Sequence, residues 1–167
     1  MSQIFVSYSR QDRNVVSRLI EAIRRDGHQI LIHQDIPGGQ HWREKIVKSI
    51  RTADVFLVFL SPRSIASDEV RAELDIAADE RKSIVPAIIE HVAIPDKMAY
   101  PLAGKNRIDL TTTDAQPLRS AIQALTKETT ALSATIPFHW PKRRSSGWIE
   151  AFLKVSPNAQ MRPLRNV

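Results

Sequence analysis

The chain of 167 residues contains no cysteine. That excludes disulfides, thiolate catalysis and cysteine-ligated zinc or iron–sulfur centres, and it suits a reducing compartment, so a cytoplasmic protein is expected. Also missing is any apolar run near the roughly 18 to 20 residues that cross a bilayer. The opening MSQIFVSYS lacks the basic and long apolar regions of a signal peptide. No membrane partner is expected. The five histidines (His28, His33, His41, His91, His139) form no HxH or HExxH pair, so no metal site is expected. The lone PGG at 37–39 is neither a GxxxxGK phosphate loop nor a GxGxxG turn. Ser7 and Ser9 have no histidine or aspartate at triad spacing, which argues against a serine hydrolase. No internal repeat is present.

What remains is an ordinary globular composition, 43% hydrophobic and 25% charged, enough for one hydrophobic core. The net charge of +6 resides mostly in the tail: residues 127–167 carry +5 and the other 126 residues about +1. The folded part shows no basic stripe interleaved with aromatics, so nucleic acid is not its expected partner. Two regions follow: a folded domain over 1–127, and a basic, proline-containing tail or linker over 128–167. In the tail only GWIEAFLKV (147–155) has the pattern of a short helix, able to dock on the domain, on a neighbour or on a further domain.

Along residues 1–127, short apolar runs alternate with helical stripes. QIFVSY (3–8) reads as a buried strand; Asp12 then caps a helix with Val15, Val16, Leu19, Ile20 and Ile23 on one face, ended by Gly27. HQILIH (28–33) is a second strand, QDIPGGQ (34–40) a loop, and Trp42, Ile46 and Ile50 a helical stripe. DVFLVFL (54–60) is apolar on both faces, as a central parallel strand must be. Ser67 caps the next helix, with Val70, Leu74 and Ala77 inward, running to about Arg81. SIVPAII (83–89) is a fourth strand and RIDL (107–110) a short edge strand. Leu118, Ile122 and Leu125 mark a last helix ending near Lys127, and 90–106 reads as irregular chain or a weak helix. The fold class is therefore α/β, a five-stranded parallel sheet with helices on both faces.

In such sheets ligands gather beyond the carboxyl ends of the strands where strand order reverses. For the order 2-1-3-4-5 that crevice lies between strands one and three, and Tyr8, Ser9, Arg10, Trp42, Ser61 and Glu73 are expected to border it, with Ser67 at the head of the following helix. Glu73 is the unusual member, a carboxylate beside the buried stripe of its helix. Its ordinary reading is a pair with Arg71, Arg63 or another surface cation; its functional reading is a carboxylate facing a substrate on which positive charge develops. Trp42 reads equally as core, Arg10 as a solvated loop residue and Asp35 as a loop cap. A phosphoacceptor receiver of the same fold is excluded, because Ser7-Tyr8-Ser9 and Leu60-Ser61 stand where its aspartates belong.

IFVSYSRQD (4–12), DIPGGQHWREKIVKSI (35–50), VFLVFLSPRSIASDEVRAEL (55–74) and SIVPAII (83–89) together resemble the Toll/interleukin-1 receptor (TIR) domain family in its bacterial form, over roughly residues 3–126. The resemblance implies a flavodoxin-like three-layer sandwich. Many members cleave NAD+ at the nicotinamide–ribose bond with a glutamate in the helix after strand three, the position of Glu73. It further implies NAD+ as substrate without a cofactor, and nicotinamide plus ADP-ribose or a cyclic ADP-ribose as products. Activation by self-association and a role in bacterial immune defence are implied as well. Tyr8, Ser9 and Arg10 match residues that border the nucleotide, and Trp42 matches an aromatic that lines its site. Asp35, Ile36, Pro37, Gly38 and Gly39 match a loop that closes over a neighbouring subunit's pocket. The family often has a tryptophan four residues before the glutamate; here Glu69 stands there. The alternative the resemblance allows is a non-catalytic interaction module, a signalling adaptor or a host-receptor mimic.

Overall fold

The computed structural model describes residues 2–32, 42–112 and 114–135, with the side chains of Trp42 and of 128–135 excepted. The loop expected to close over a neighbour (Asp35 to Gly39), the side chain of Trp42 and the tail helix at 147–155 lie outside the described residues.

Five strands form one sheet: β1 (Gln3–Ser7), β2 (Gln29–Ile32), β3 (Val55–Leu60), β4 (Ser83–Ile88) and β5 (Ile108–Asp109). All pairings are parallel and the order is β2-β1-β3-β4-β5, as expected. The connecting helices are α1 (Arg13–Arg25), α2 (Trp42–Thr52), the single turn α3 (Pro62–Ile65), α4 (Asp68–Asp79), α5 (Asp96–Leu102) and α6 (Gln116–Thr135).

Right-handed crossovers explain the layers. The chain steps one way from β1 to β2 and the other way from β2 onward to β5, so α1 lies on one face and α2, α4 and α5 on the other. Val16, Leu19, Ile20 and Ile23 of α1 and Leu118 and Ile122 of α6 pack on Ile4, Val6, Leu57 and Phe59. Ile46 and Ile50 of α2, Val70, Leu74 and Ala77 of α4, and Met98 and Leu102 of α5 pack on Phe5, Phe56, Val58 and Leu60. All six residues of β3 are buried, because both faces of a central strand are covered. Phe5 and Phe56 are register partners on β1 and β3 and stack with ring centroids 5.6 Å apart, pinning the seam where strand order reverses.

Of the two readings of 90–106 the weak helix is the one found: α5, held by the buried Met98 and Leu102 although Pro101 lies within it. One element departs from the sequence reading. The last helix continues to Thr135 instead of stopping near Lys127. No glycine or proline interrupts 118–135, and the first breaker is Pro137, which disfavours helix at the residue before it.

Helix α4 ends in a Schellman turn: Lys82 N–H donates to Ala77 and Arg81 N–H to Ala78. The turn places Arg81 at φ 52°, a conformation that glycine adopts without steric cost. Arg81→Gly is expected to stabilise the domain by about 1 kcal/mol, raising Tm by roughly 3 °C. A melting temperature at or below that of wild type shows that the left-handed turn carries no strain.

Candidate active site

The seam between β1 and β3 directs three groups of side chains. Alternation along β1 sends Ile4 and Val6, followed by Tyr8, toward α1, and sends Phe5 and Ser7 toward α4. Ser7, fully buried at the carboxyl end of β1, donates from Oγ to Glu73 Oε2 at 2.6 Å. Glu73 is itself 4% exposed, because it shares the inner face of α4 with Val70, Leu74 and Ala77. Burial pushes its carboxyl up to about 7; the hydrogen bond from Ser7 opposes that shift, and the nearby charge of Glu69 adds to it. The group therefore exchanges its proton near neutrality, which few carboxyls do.

The two arginines named in the ordinary reading make ion pairs with other carboxylates. Arg71 pairs with Asp68 at 2.9 Å, one turn back on α4. Arg63 binds Asp12 through Nε and Glu90 through Nη2, each at 2.6 Å. These two carboxylates hold the Arg63 guanidinium above its usual range, Asp12 contributing most.

Asp12 departs from its expected role. It occupies the cap position of α1, but its side chain makes no capping bond there. Instead it is 2% exposed and reaches across the seam, accepting from Ser61 Oγ at 2.6 Å as well as from Arg63. Sequence reasoning missed this cluster because its partners lie 49 and 51 residues away, with no local spacing to signal them. An aspartate that opens a helix while a serine and an arginine close the neighbouring strand is the only clue the sequence holds.

An open cleft of about 510 Å³ lies above the seam, with Ser9, Arg10, Arg63, Ser67 and Glu69 among the residues that line it. Of the expected pocket residues, Ser9, Arg10 and Ser67 are therefore brought together. Ser67 also accepts from Val70 N–H at 3.3 Å, the N-cap read from the sequence. Tyr8 and Ser61 do not reach the cleft. Tyr8 is buried in the core layer under α1, on the other face of the sheet from Glu73, because strand alternation carries it there. Ser61 is fully buried, spent on Asp12 and on a reciprocal capping box with Ser64. Glu73 lies one helical turn below Glu69 and is not among the lining residues.

Residues 4–125 match the family model of the TIR domain. The chain belongs to that family. No curated protein matches the chain in sequence. Among solved structures, this TIR domain resembles the TIR domain of the Toll-related receptor TRR-2 from Hydra magnipapillata, at 20% identity over 75% of this chain and 99% of that one, TM-score 0.63. It also resembles a 2-deoxyribosyltransferase from Bacillus psychrosaccharolyticus (14% identity, 71% of this chain and 90% of that one, TM-score 0.56). A third likeness is the CMP N-glycosidase BcmB of Clostridium botulinum (14% identity, 73% and 98%, TM-score 0.53). At these identities the likenesses show the shared fold alone. Among the described residues of the TIR domain, no helix is long and apolar enough to cross a membrane.

Proposed function

We propose that this TIR domain is an NAD+ glycohydrolase, with Glu73 as the carboxylate that stabilises the ribosyl cation as nicotinamide departs. The observation that carries this reading is Glu73 itself. It is an acid buried to 4% exposure at the seam where strand order reverses, oriented by Ser7 and titrating at about 7. Evolution of a fold rarely keeps a buried ionisable group at such a seam for stability alone, since burying it opposes folding.

The chemistry asks for little more. Cleavage of an N-glycosidic bond passes through an oxocarbenium-like transition state, and ordinary glycosidases add a second carboxyl to protonate the leaving group. Nicotinamide leaves as a neutral molecule from a cationic pyridinium, so one ionised carboxylate near the anomeric carbon suffices. NAD+ is then the substrate, no cofactor is required, and the products are nicotinamide with ADP-ribose or its cyclised form. Arg10, on the wall of the cleft, supplies a guanidinium for a phosphate. Two proteins of similar fold are named for a deoxyribosyl transfer and for an N-glycosidase, so the fold accommodates chemistry at a ribosyl carbon in those proteins.

In the single chain Glu73 is covered, which gives a physical reason for activation by self-association: assembly must open a path from the cleft down to the carboxylate. The same observation favours the second reading, a TIR interaction module that turns nothing over. Forced clustering separates the two. Clustered wild type is expected to consume NAD+ with an acid limb near pH 7, because the ionised form of Glu73 is the active one. Ser7→Ala removes a bond that favours the ionised form, so the limb should move up by roughly 0.5 to 1 pH unit. No turnover by the clustered protein at any pH leaves the interaction module as the function, and an acid limb that ignores Ser7→Ala detaches the profile from Glu73.

A further inference from the structure

Two helices on opposite layers of the sheet present outward faces of opposite charge. On α1 the buried stripe of Val16, Leu19, Ile20 and Ile23 turns Asn14, Arg18, Glu21 and Arg25 to solvent. Glu21 is matched by Arg24 at 2.9 Å, whereas Arg18 and Arg25 make no salt bridge among the described residues. This outer face is therefore cationic. On α4 the buried stripe turns Asp68, Ala72, Asp75 and Asp79 outward, and all four are exposed. Asp68 pairs with Arg71 at 2.9 Å, but Asp75 and Asp79 make no salt bridge among the described residues.

The arrangement on α4 is unfavourable by itself. Asp75 and Asp79 stand four residues apart on one face, where like charges repel. Asp79 also lies in the last turn, at the negative end of the helix dipole, and no basic residue shares that turn. Partial burial raises the Asp75 carboxyl above its usual range, and the charge of Asp79 adds to the rise against the pull of Arg71. A cation set against this face relieves both defects. The two outer ridges match in form as well, since each occupies positions i, i+4, i+7 and i+11 of its helix, a run of roughly 16 Å.

We propose that the outer face of α1 docks against the outer face of α4 on a second copy of this chain, Arg18 and Arg25 meeting Asp75 and Asp79. Guanidinium groups suit this role, because their planar donor forks fit carboxylates. The two faces differ and belong to opposite layers, so the contact is heterologous and copies add head to tail. It gives a surface to the self-association invoked for activation above, and it does not depend on NAD+ being cleaved.

The test is a charge swap in the full chain, read by sedimentation velocity at low ionic strength. Wild type is expected to gain mean mass as its concentration rises and to lose it again as salt is added. Arg18→Glu with Arg25→Glu, and separately Asp75→Lys with Asp79→Lys, should each weaken self-association about tenfold or more, because like charges then face one another. Mixing the two reversed proteins restores a pairing of opposite charges at every contact, so association is expected to return. Rescue of that kind also excludes misfolding as the cause of the losses. A wild type that stays monomeric at every concentration overturns the proposal. So does association that survives either reversal, or a mixture no stronger than its components. NAD+ turnover under forced clustering is a separate measurement, and its absence leaves the docking surface standing.

Discussion

Glu73→Gln is expected to abolish NAD+ consumption and, at the same time, to make the domain more stable at alkaline pH. The first effect follows from removing the only charge proposed to face the ribosyl cation, and a loss of about 10³-fold in rate is the expected size for a preorganised electrostatic contact. The second follows from linkage. The Glu73 carboxyl titrates near its ordinary 4.5 in the unfolded chain and at about 7 in the folded one. Below the lower value both states hold the proton and there is no penalty. As pH rises through the window between them, the unfolded chain releases its proton first, so stability falls, and the full penalty is present above pH 7. The shift corresponds to a cost on the order of 3 kcal/mol. Glutamine keeps the size of the side chain and still accepts from Ser7 Oγ, yet never ionises. Its Tm should exceed that of wild type by about 10 °C at pH 8 and by only a degree or two near pH 4.5. A variant that retains more than about a tenth of wild-type activity removes Glu73 from the chemistry, since even one lost electrostatic donor costs more than that. Equal melting temperatures at pH 8 would instead show that the carboxyl is solvated in the folded state. Activity and stability moving in opposite directions is the pattern expected of a site that holds a destabilised group for its function.

Arg63→Ala is the second large effect, and its sign of coupling is the informative part. Asp12 is 2% exposed and anchors the seam through Ser61 and Arg63. Deleting Arg63 strands a buried carboxylate with the Ser61 hydroxyl, and an uncompensated buried charge is among the costlier defects a fold can carry. A drop in Tm of about 10 °C is expected. Asp12→Asn removes the charge and leaves Arg63, which is partly exposed and still paired with Glu90, so a smaller drop is expected. Combining the two should recover part of the loss: Asp12→Asn with Arg63→Ala is expected to melt above Arg63→Ala alone. Additive losses in that cycle would show that the two side chains do not interact.

Much of the fold was legible in the residues. The run VFLVFL, apolar at every position, specified a strand covered on both faces; the stripe of Val70, Leu74 and Ala77 specified the inner side of α4; and Ser67 announced the start of that helix. The alternation of strand and helix, with short connections, specified a parallel sheet covered on both faces, and the order found is the commonest one for such a chain. Glu73 stood out for the same reason, because a carboxylate next to an apolar stripe contradicts the pattern around it.

Other features were invisible at that level. Tyr8 stands next to Ser7 in the chain but points to the opposite layer, and only knowing which face carries α4 separates them. Asp12 looked like a cap and became an anchor across the seam; Ser61 looked like a pocket residue and became its buried donor. The division has a physical cause. Periodicity and capping are set by neighbours within a few residues, so the chain by itself determined the elements and the placing of Glu73 beside the apolar stripe of its helix. Partners 49 to 66 residues apart meet only when the sheet closes. The tertiary structure therefore decided which groups Ser7 and Asp12 bind, how deeply Glu73 is covered, and which side chains line the cleft.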